Sequence, residues 1–532
     1  MLATCLSLML LGASPAPDTV VVCPEEFRPA LAPWLALREA QGRNCLVISS
    51  DSVDGLRRQI RAAAAAGALR YVMLVGDAPS VDRPRPSLVT VPTHYVPSQV
   101  IHRFGGESII AGDNWFADLD DDRLPDVAIG RLPADTPEDL RVIVDKIVAY
   151  ERGPAPGVWQ RRINLVAGIG GFGAFADAAI EASAKRLLIA GIPPAYTTTV
   201  TYGSWRSPYC PDPRRFHAAT VERINEGCLF WVYMGHGRTQ AMDRVRTPDG
   251  QHHIFATSDC VRLRCGDRSP IALLLCCSAG GFDQPEDCLA EELLRAEEGP
   301  VAALAGSRVT MPYAMSVLGA EMLRIFFQED CNTVGELLME AKRAMIVRPR
   351  DDPQSQAVDA LANLLNPGSN DLTAERAEHL DLFNLIGDPL LKLPTTAKAT
   401  VNVPRHVSPG EIMEIAGTSP VDGAAEIELV VRRDRLTFRP RPRATYENTP
   451  VAREEYQDTY ARANDTRLVT ETVQVVDGAF QVRLTVPATA SGECHVRVFV
   501  QGAKHAALGA ADVTIEPVAA QARGRAAGTP GG

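Results

Sequence analysis

Leu229–Gly237, LFWVYMGHG, and Ile271–Phe282, IALLLCCSAGGF, decide the fold. Each is a run of apolar residues that stops at a small, glycine-rich turn. Continuous apolar runs of this length, bounded by glycine, read as buried strands of a parallel sheet. In such sheets the carboxyl ends of the strands share one rim, along which ligands bind. The first run ends in His236 and the second in Cys277, so the two meet on that rim although far apart in sequence. A thiol beside an imidazole is an activated nucleophile: the base takes the proton and the thiolate attacks. A cysteine at a strand end is by itself more often a small buried hydrophobe, and Cys276 reads that way. Two such residues at equivalent strand-to-loop junctions point instead to chemistry.

Outward from these runs the alternation continues. Over residues 18–157, strands Thr19–Cys23, Cys45–Ser49 and Tyr71–Val75 alternate with helices Phe27–Gln41 and Val53–Ala65, which predicts a doubly wound parallel-sheet α/β unit. A helix over Thr136–Glu151 carries its own punctuation. Thr136 is the cap, Pro137 suits the first turn, and Leu140, Ile143, Val144, Ile147 and Val148 line one face. Residues 158–397 repeat the pattern with strands Ile163–Ile169, Leu229–Met234, Ile271–Cys276 and Val301–Ala305. Their helices are Asp177–Ala190, Glu286–Glu297, Ala314–Phe327 and Val334–Ile346. The stretch from Pro349 to Asn370 carries no clear period. After Pro394, short alternating runs (Ile427–Val431, Val473–Val476, Phe480–Val486, Cys494–Val500) predict an antiparallel β-sandwich over residues 398–517. The polar insert Arg439–Thr466 reads as a long mobile loop, and residues 518–532 as a disordered tail.

The 532 residues suffice for about three domains of ~150 residues, and an apolar content of 46% allows a sizeable core. A net charge of −11 argues against nucleic acid as a partner, since phosphate binding needs a basic face. The start, MLATCLSLMLLGASPAP, has the apolar stretch Leu6–Leu11 and the small residues of a secretory signal over residues 1–17, without its positive n-region. It is too short to span a bilayer, no other segment approaches a membrane span, and the expected location is secreted or in the cell envelope. The twelve cysteines are spread irregularly, unlike a small disulfide scaffold, so most read as buried thiols.

Asp118–Asp126, DLDDDRLPD, places Asp118, Asp120, Asp122 and Asp126 at positions 1, 3, 5 and 9 of an EF-hand-type loop, with the Leu124 carbonyl at position 7. Alternate positions in a tight loop aim several hard oxygens at one point, as Ca²⁺ requires. Arg123 stands where that loop has glycine and Ile129 where it has a bidentate glutamate, so another segment must complete the shell. Asp121 should point outward. A solvated acidic loop is the other reading of the same residues.

The chain resembles the gingipain-type cysteine peptidases, of the same structural group as caspases and legumains. The likeness runs through YMGHG, CCSAGGF, Cys288–Glu298 (CLAEELLRAEE) and Pro300–Ser307 (PVAALAGS). It extends to Asp126–Arg131 (DVAIGR), the helix ending Tyr150–Arg152 (YER), and Leu385–Lys392 (LIGDPLLK). The resemblance implies two caspase-like α/β subdomains, 18–157 and 158–397, then an immunoglobulin-like sandwich. It also implies bound calcium, and hydrolysis of protein or peptide substrates by a cysteine endopeptidase. His236 and Cys277 match the family's dyad. The reaction would pass through an acyl-enzyme, with the oxyanion held by the backbone N–H groups of Gly237 and Cys277. The family's acidic residue that orients the histidine falls here on Ile169, which cannot do so. In arginine-directed members an aspartate at the next helix start lines the primary pocket. Asp177 falls at that place, and as a helix-start residue it equally suits the macrodipole. Two further readings stay open on sequence alone: an inactive module that binds peptides or surfaces, and an acyl hydrolase or transferase on a non-peptide substrate.

Overall fold

The computed structural model describes residues 16–50, 52–80, 89–153, 155–169, 191–365 and 371–516. The apolar start as far as residue 15, the helix expected over 177–190 with Asp177, and the tail from 517 lie outside them.

In chain order the first part comprises β1 (Thr19–Val22), α1 (Arg28–Ala40), β2 (Cys45–Ile48), α2 (Val53–Ala64) and β3 (Tyr71–Val75). A hairpin of β4 (His94–Pro97) and β5 (Ile109–Gly112), and a short helix α3 (Asn114–Ala117), lead to β6 (Ala128–Leu132) and α4 (Pro137–Arg152). Thr136 caps α4 reciprocally with Asp139, as its sequence predicts. The second part supplies β7 (Arg162–Ala167), β8 (Thr197–Tyr202), α5 (Phe216–Asn225) and β9 (Phe230–Met234). Two small hairpins follow, β10 (Gly237–Arg238) with β11 (Ala241–Met242), and β12 (Arg244–Thr247) with β13 (Gly250–His253). Then come β14 (Ile271–Leu275), α6 (Leu289–Arg295), β15 (Ala302–Gly306), α7 (Pro312–Gln328) and α8 (Val334–Val347). The stretch without a clear period forms α9 (Pro353–Leu365), and α10 (Leu372–Leu382) runs directly into β16 (Phe383–Ile386).

The two expected parallel sheets join edge to edge as one ten-stranded sheet in the order β2-β1-β3-β6-β16-β15-β14-β9-β7-β8. Strand β16 is the join. It is parallel to β6 and antiparallel to β15, so the two halves run in opposite senses. Its sequence neighbourhood closes the structure. Asp388, just beyond β16, is fully buried; it accepts from Trp34 Nε1 at 2.5 Å and pairs with Arg38, both on α1. Arg38 also donates to Glu151 on α4 at 2.7 Å. The resembling blocks YER and LIGDPLLK thus meet on one buried guanidinium. Arg131, at the end of DVAIGR, is buried likewise. It makes a bidentate pair with Asp113, 2.8 Å for each bond, and donates to the carbonyls of Gly76 and Val91.

Beyond the sheet, β17 (Ala397–Lys398), β18 (Thr400–Asn402), β19 (His406–Val407), β20 (Ile412–Thr418) and β21 (Gly423–Val431) precede α11 (Pro450–Ala463). They are followed by β22 (Arg467–Val475), β23 (Ala479–Thr485), β24 (Gly492–Gln501) and β25 (Ala506–Ile515). One sheet is built on β25-β24-β21-β22 and the other on β18-β20-β23. They share a core in which Met413, Ile415 and Leu484 meet Ile427, Leu429, Val496 and Val498. The expectation of a mobile loop over Arg439–Thr466 is corrected by α11. Thr449 caps that helix, Pro450 opens it, and Tyr456 and Tyr460 are buried. Its local sequence is polar because it packs on the other domain and contributes little to its own core. The Tyr460 hydroxyl sits 2.8 Å from Thr201 Oγ1 and accepts from Arg223 Nε at 3.0 Å. Asn464 accepts from Val200 N at 2.7 Å and donates to Val200 O at 3.1 Å. Among the described residues no helix is long and apolar enough to cross a membrane.

Replacing one partner of a buried ion network leaves the others charged and unpaired, at a cost of about 3–5 kcal/mol. Arg38→Met is expected to lose about that much stability in urea denaturation, with both Asp388 and Glu151 stranded.

Candidate active site

Strands β9 and β14 are parallel neighbours in register, Phe230 opposite Ile271 and Met234 opposite Leu275. Their carboxyl ends therefore release Gly235-His236-Gly237 and Cys276-Cys277-Ser278 side by side. The approach is close. A Cβ at Gly237 would lie 2.6 Å from Cys276 Sγ and 2.6 Å from the Cys277 carbonyl oxygen, so only glycine fits beside His236. One at Gly235 would meet the Tyr233 hydroxyl at 2.7 Å. That hydroxyl donates to the His236 carbonyl at 2.7 Å, and Asp243 N–H donates to the same carbonyl at 3.1 Å, which pins the backbone of the histidine turn.

The cysteine turn is strained. Ser278 has φ of 59°, the left-handed region that non-glycine residues seldom occupy. Its N–H donates to the Arg308 carbonyl at 2.9 Å, beyond the end of β15, and Gly280 N–H donates to Gly306 O at 2.9 Å. The turn is thus tied to β15 on the side away from His236. The Cys277 N–H has no intramolecular acceptor among the described residues, and Gly237 pairs with Met242 in the β10–β11 hairpin. The two adjacent thiols differ in setting. Cys276 is wholly buried, and burial pushes its thiol far up, with the charge on Cys277 adding to the effect. Cys277 is half-buried. All hydrogen bonds of its sulfur among the described residues run to Thr310: the backbone N–H at 3.4 Å, the hydroxyl at 3.6 Å and the carbonyl at 3.7 Å. Sequence reading missed Thr310, because only the return of the chain after β15 brings it to the cysteine.

Ile169 lies just past the end of β7 and is partly exposed. Asp177 lies outside the described residues.

The acidic loop gathers in part as its spacing predicts. Asp118, Asp120 and Asp126 bring carboxylate oxygens within 4.8 Å of one another. Asp122 stands outside that group; its Oδ1 accepts from Leu124 N–H at 2.7 Å. Asp118 is buried and accepts from the N–H groups of Asp121 at 2.8 Å and Arg123 at 3.2 Å. Asp121 points outward as expected, onto Arg57 at 2.9 Å and Arg61 at 2.8 Å. Arg123, standing in for the usual glycine, has φ of 73°. The donors are all hard oxygen, which fits Ca²⁺.

Residues 13–394 match the family model described as peptidase family C25. Gingipain R2 of Porphyromonas gingivalis is 24% identical over 353 residues, covering 64% of this chain and 40% of that protein. Lys-gingipain W83 of the same organism is 24% identical over 305 residues, covering 54% of this chain and 15% of the relative. The chain thus spans well under half the length of these curated relatives. The crystal structure of the Arg-specific cysteine proteinase gingipain R superposes with a TM-score of 0.53 at 18% identity, covering 94% of this chain and 99% of that one. The fold is that of the gingipain catalytic and β-rich regions. The chain belongs to peptidase family C25.

A buried, proton-retaining thiol is slow to alkylate, because the thiolate is the reactive form. Iodoacetamide at pH 8 is expected to label Cys277 in the native protein and Cys276 only after unfolding, read by peptide mapping.

Proposed function

We propose that this chain is a cysteine endopeptidase acting through an acyl-enzyme, with Cys277 as nucleophile and His236 as general base and then general acid. The observation that carries this reading is the contact of the two turns, with Gly237 packed against Cys276 and the Cys277 carbonyl. Family membership and the match of both residues to the gingipain dyad support it. In the reaction His236 takes the thiol proton and the sulfur bonds to the carbonyl carbon. The C–N bond then breaks, and the leaving amine receives the proton from His236. Water attacks the thioester with His236 again as base, releasing the carboxylic acid and restoring the thiol. The Cys277 N–H, which has no acceptor among the described residues, would donate to the developing oxyanion, with Gly237 N–H as the second donor.

The matched relatives carry arginine- and lysine-directed names, and we read the substrate as a protein or peptide with Arg or Lys before the scissile bond. Asp177 would receive that cation in a charge-assisted pair. Calcium belongs to the same proposal as a structural ion: Asp118, Asp120 and Asp126 would hold it, with Asp122 and the Leu124 carbonyl as the loop's remaining donors. Bound there, the ion would neutralise a carboxylate cluster and brace the segment entering β6. The apolar N-terminal stretch supports export, and the C-terminal sandwich is read as an immunoglobulin-like module.

Cys277→Ala is expected to abolish hydrolysis of a denatured proteome, and Cys276→Ala to keep most of it. His236→Ala should lower the rate by about 10²–10⁴-fold. Cleavage-site profiling in the same assay reads the residue before the cut. Activity persisting in Cys277→Ala overturns the reading. Peptide binding without any cleavage by the wild type would establish the inactive module that Ile169 favours.

A ligand held only by the folded state stabilises it by about 2.7 kcal/mol at a hundred times its Kd. Chelation is therefore expected to lower Tm in calorimetry. Asp118→Ala should erase the difference and Asp121→Ala should retain it. Superimposable melting curves with chelator and with millimolar Ca²⁺ would refute the site.

A further inference from the structure

We propose that Thr310 is a catalytic residue of this site, a neutral donor that gives its backbone N–H and its hydroxyl hydrogen to the Cys277 sulfur once the thiol has lost its proton. The inference rests on the reading of Cys277 as nucleophile and adds to it the group that stabilises the thiolate.

What matters at the sulfur is where each hydrogen points. The Thr310 hydroxyl carries one, and two sulfur acceptors lie in reach, Met315 Sδ at 3.0 Å and Cys277 Sγ at 3.6 Å. In the thiol form the Cys277 S–H is itself a donor, and the Thr310 carbonyl at 3.7 Å accepts it. The hydroxyl then faces the nearer thioether, a weak acceptor. Transfer of the thiol proton to His236 removes the S–H donor and leaves an anion that can only accept. Hydrogen bonds to an ionised group are roughly twice as strong as neutral ones, so the hydroxyl turns from Met315 to Cys277. The backbone N–H, already 3.4 Å from the sulfur, needs no movement. Thr310 gives up no proton; it only reorients one.

The position of Thr310 is fixed from behind. A Cβ at Gly306 would lie 2.6 Å from Thr310 Cγ2, so the glycine that ends β15 makes room for the threonine methyl. The next residue, Met311, donates its N–H to His379 Nε2 at 3.0 Å, and His379 Nδ1 donates to the Glu375 carbonyl at 2.7 Å. His379 is wholly buried, and burial pulls its pKa down to about 4, so the ring stays neutral and keeps Nε2 as an acceptor. Glu375 also accepts from Ala314 N–H at 3.0 Å. Helix α10 therefore holds the turn that meets the nucleophile. Ionisable groups near the thiol include Tyr233 and Cys276, with His236 on the adjoining turn; Arg308, whose carbonyl accepts from Ser278 N–H, pairs with Asp283. That last pair is buried and bidentate, at 2.7 and 2.5 Å, so its charge is already matched.

The test is the pH profile of Cys277 alkylation by iodoacetamide, followed on the labelled peptide, with peptide hydrolysis measured in parallel. Thr310→Val keeps the shape and the N–H and loses the hydroxyl. It is expected to raise the midpoint of alkylation by about half to one pH unit, and to lower kcat/KM by about three- to tenfold, the range of one ordinary hydrogen bond. Thr310→Ser should restore both. Met315→Leu removes the competing acceptor of the thiol form and should lower the midpoint; it serves as the second variant if Thr310→Val folds poorly. An unchanged midpoint in folded Thr310→Val, or in Met315→Leu, overturns the proposal. A shifted midpoint supports the contact even where hydrolysis is absent, and in that case the failure lies with Cys277 as a peptidase nucleophile and not with Thr310.

Discussion

Position 237 has no room for a side chain, and the rest of the site depends on that. The carboxyl ends of β9 and β14 come together because the strands pair in register, but pairing alone leaves strand ends about 5 Å apart. The missing Cβ lets the histidine turn settle directly on Cys276 and on the cysteine carbonyl. A methyl there would meet a sulfur and a backbone oxygen, neither of which can swing away. The sulfur belongs to a buried residue of the sheet core, and the oxygen to a turn anchored on β15 through Ser278 and Gly280. The approach of the His236 turn to the Cys277 turn is thus set by packing rather than by the flexibility of either side chain.

The same logic explains the two neighbouring thiols. Cys276 fills core volume beneath the glycine, and Cys277 emerges where the strand stops. Burial holds the first thiol protonated. The second meets a hydrogen-bonding loop held in place by α10. At the left-handed Ser278 the chain turns sharply away, and the Cys277 N–H meets no acceptor among the described residues. Residues next to one another in sequence thereby have opposite chemical fates.

What could be read from the chain divides along physical lines. Strands β3, β9, β14 and β15 were legible because central parallel strands are apolar on both faces and end at glycine, and α4 because cap, proline and apolar stripe all agree. Asp118, Asp120 and Asp126 were legible because a loop's ligand spacing is local. Asp122 departs from the expected group because its carboxylate bonds to a backbone N–H two residues on. Helices α9, α10 and α11 were not legible, since their packing surfaces are supplied by distant segments. Glu375, Glu378 and His379 make α10 look solvent-exposed, yet all three are buried. Thr310 escaped for the same reason: nothing near it in sequence indicates that it touches Cys277.

Asn464 has a consequence of a different kind. Strand β8 is the last in the sheet order, and an outermost strand offers its unpaired backbone groups to any passing strand. The Asn464 carboxamide imitates one peptide unit of such a partner, taking the Val200 N–H and returning a hydrogen to its carbonyl. It is presented from the insert of the β-rich region, whose Tyr460 buttresses the same strand through Thr201. The C-terminal region therefore shields the ten-stranded sheet from strand-to-strand association. A fragment trimmed back to the ten-stranded sheet would keep every group of the proposed dyad and lose the cover on this edge, making it more prone to self-association in solution.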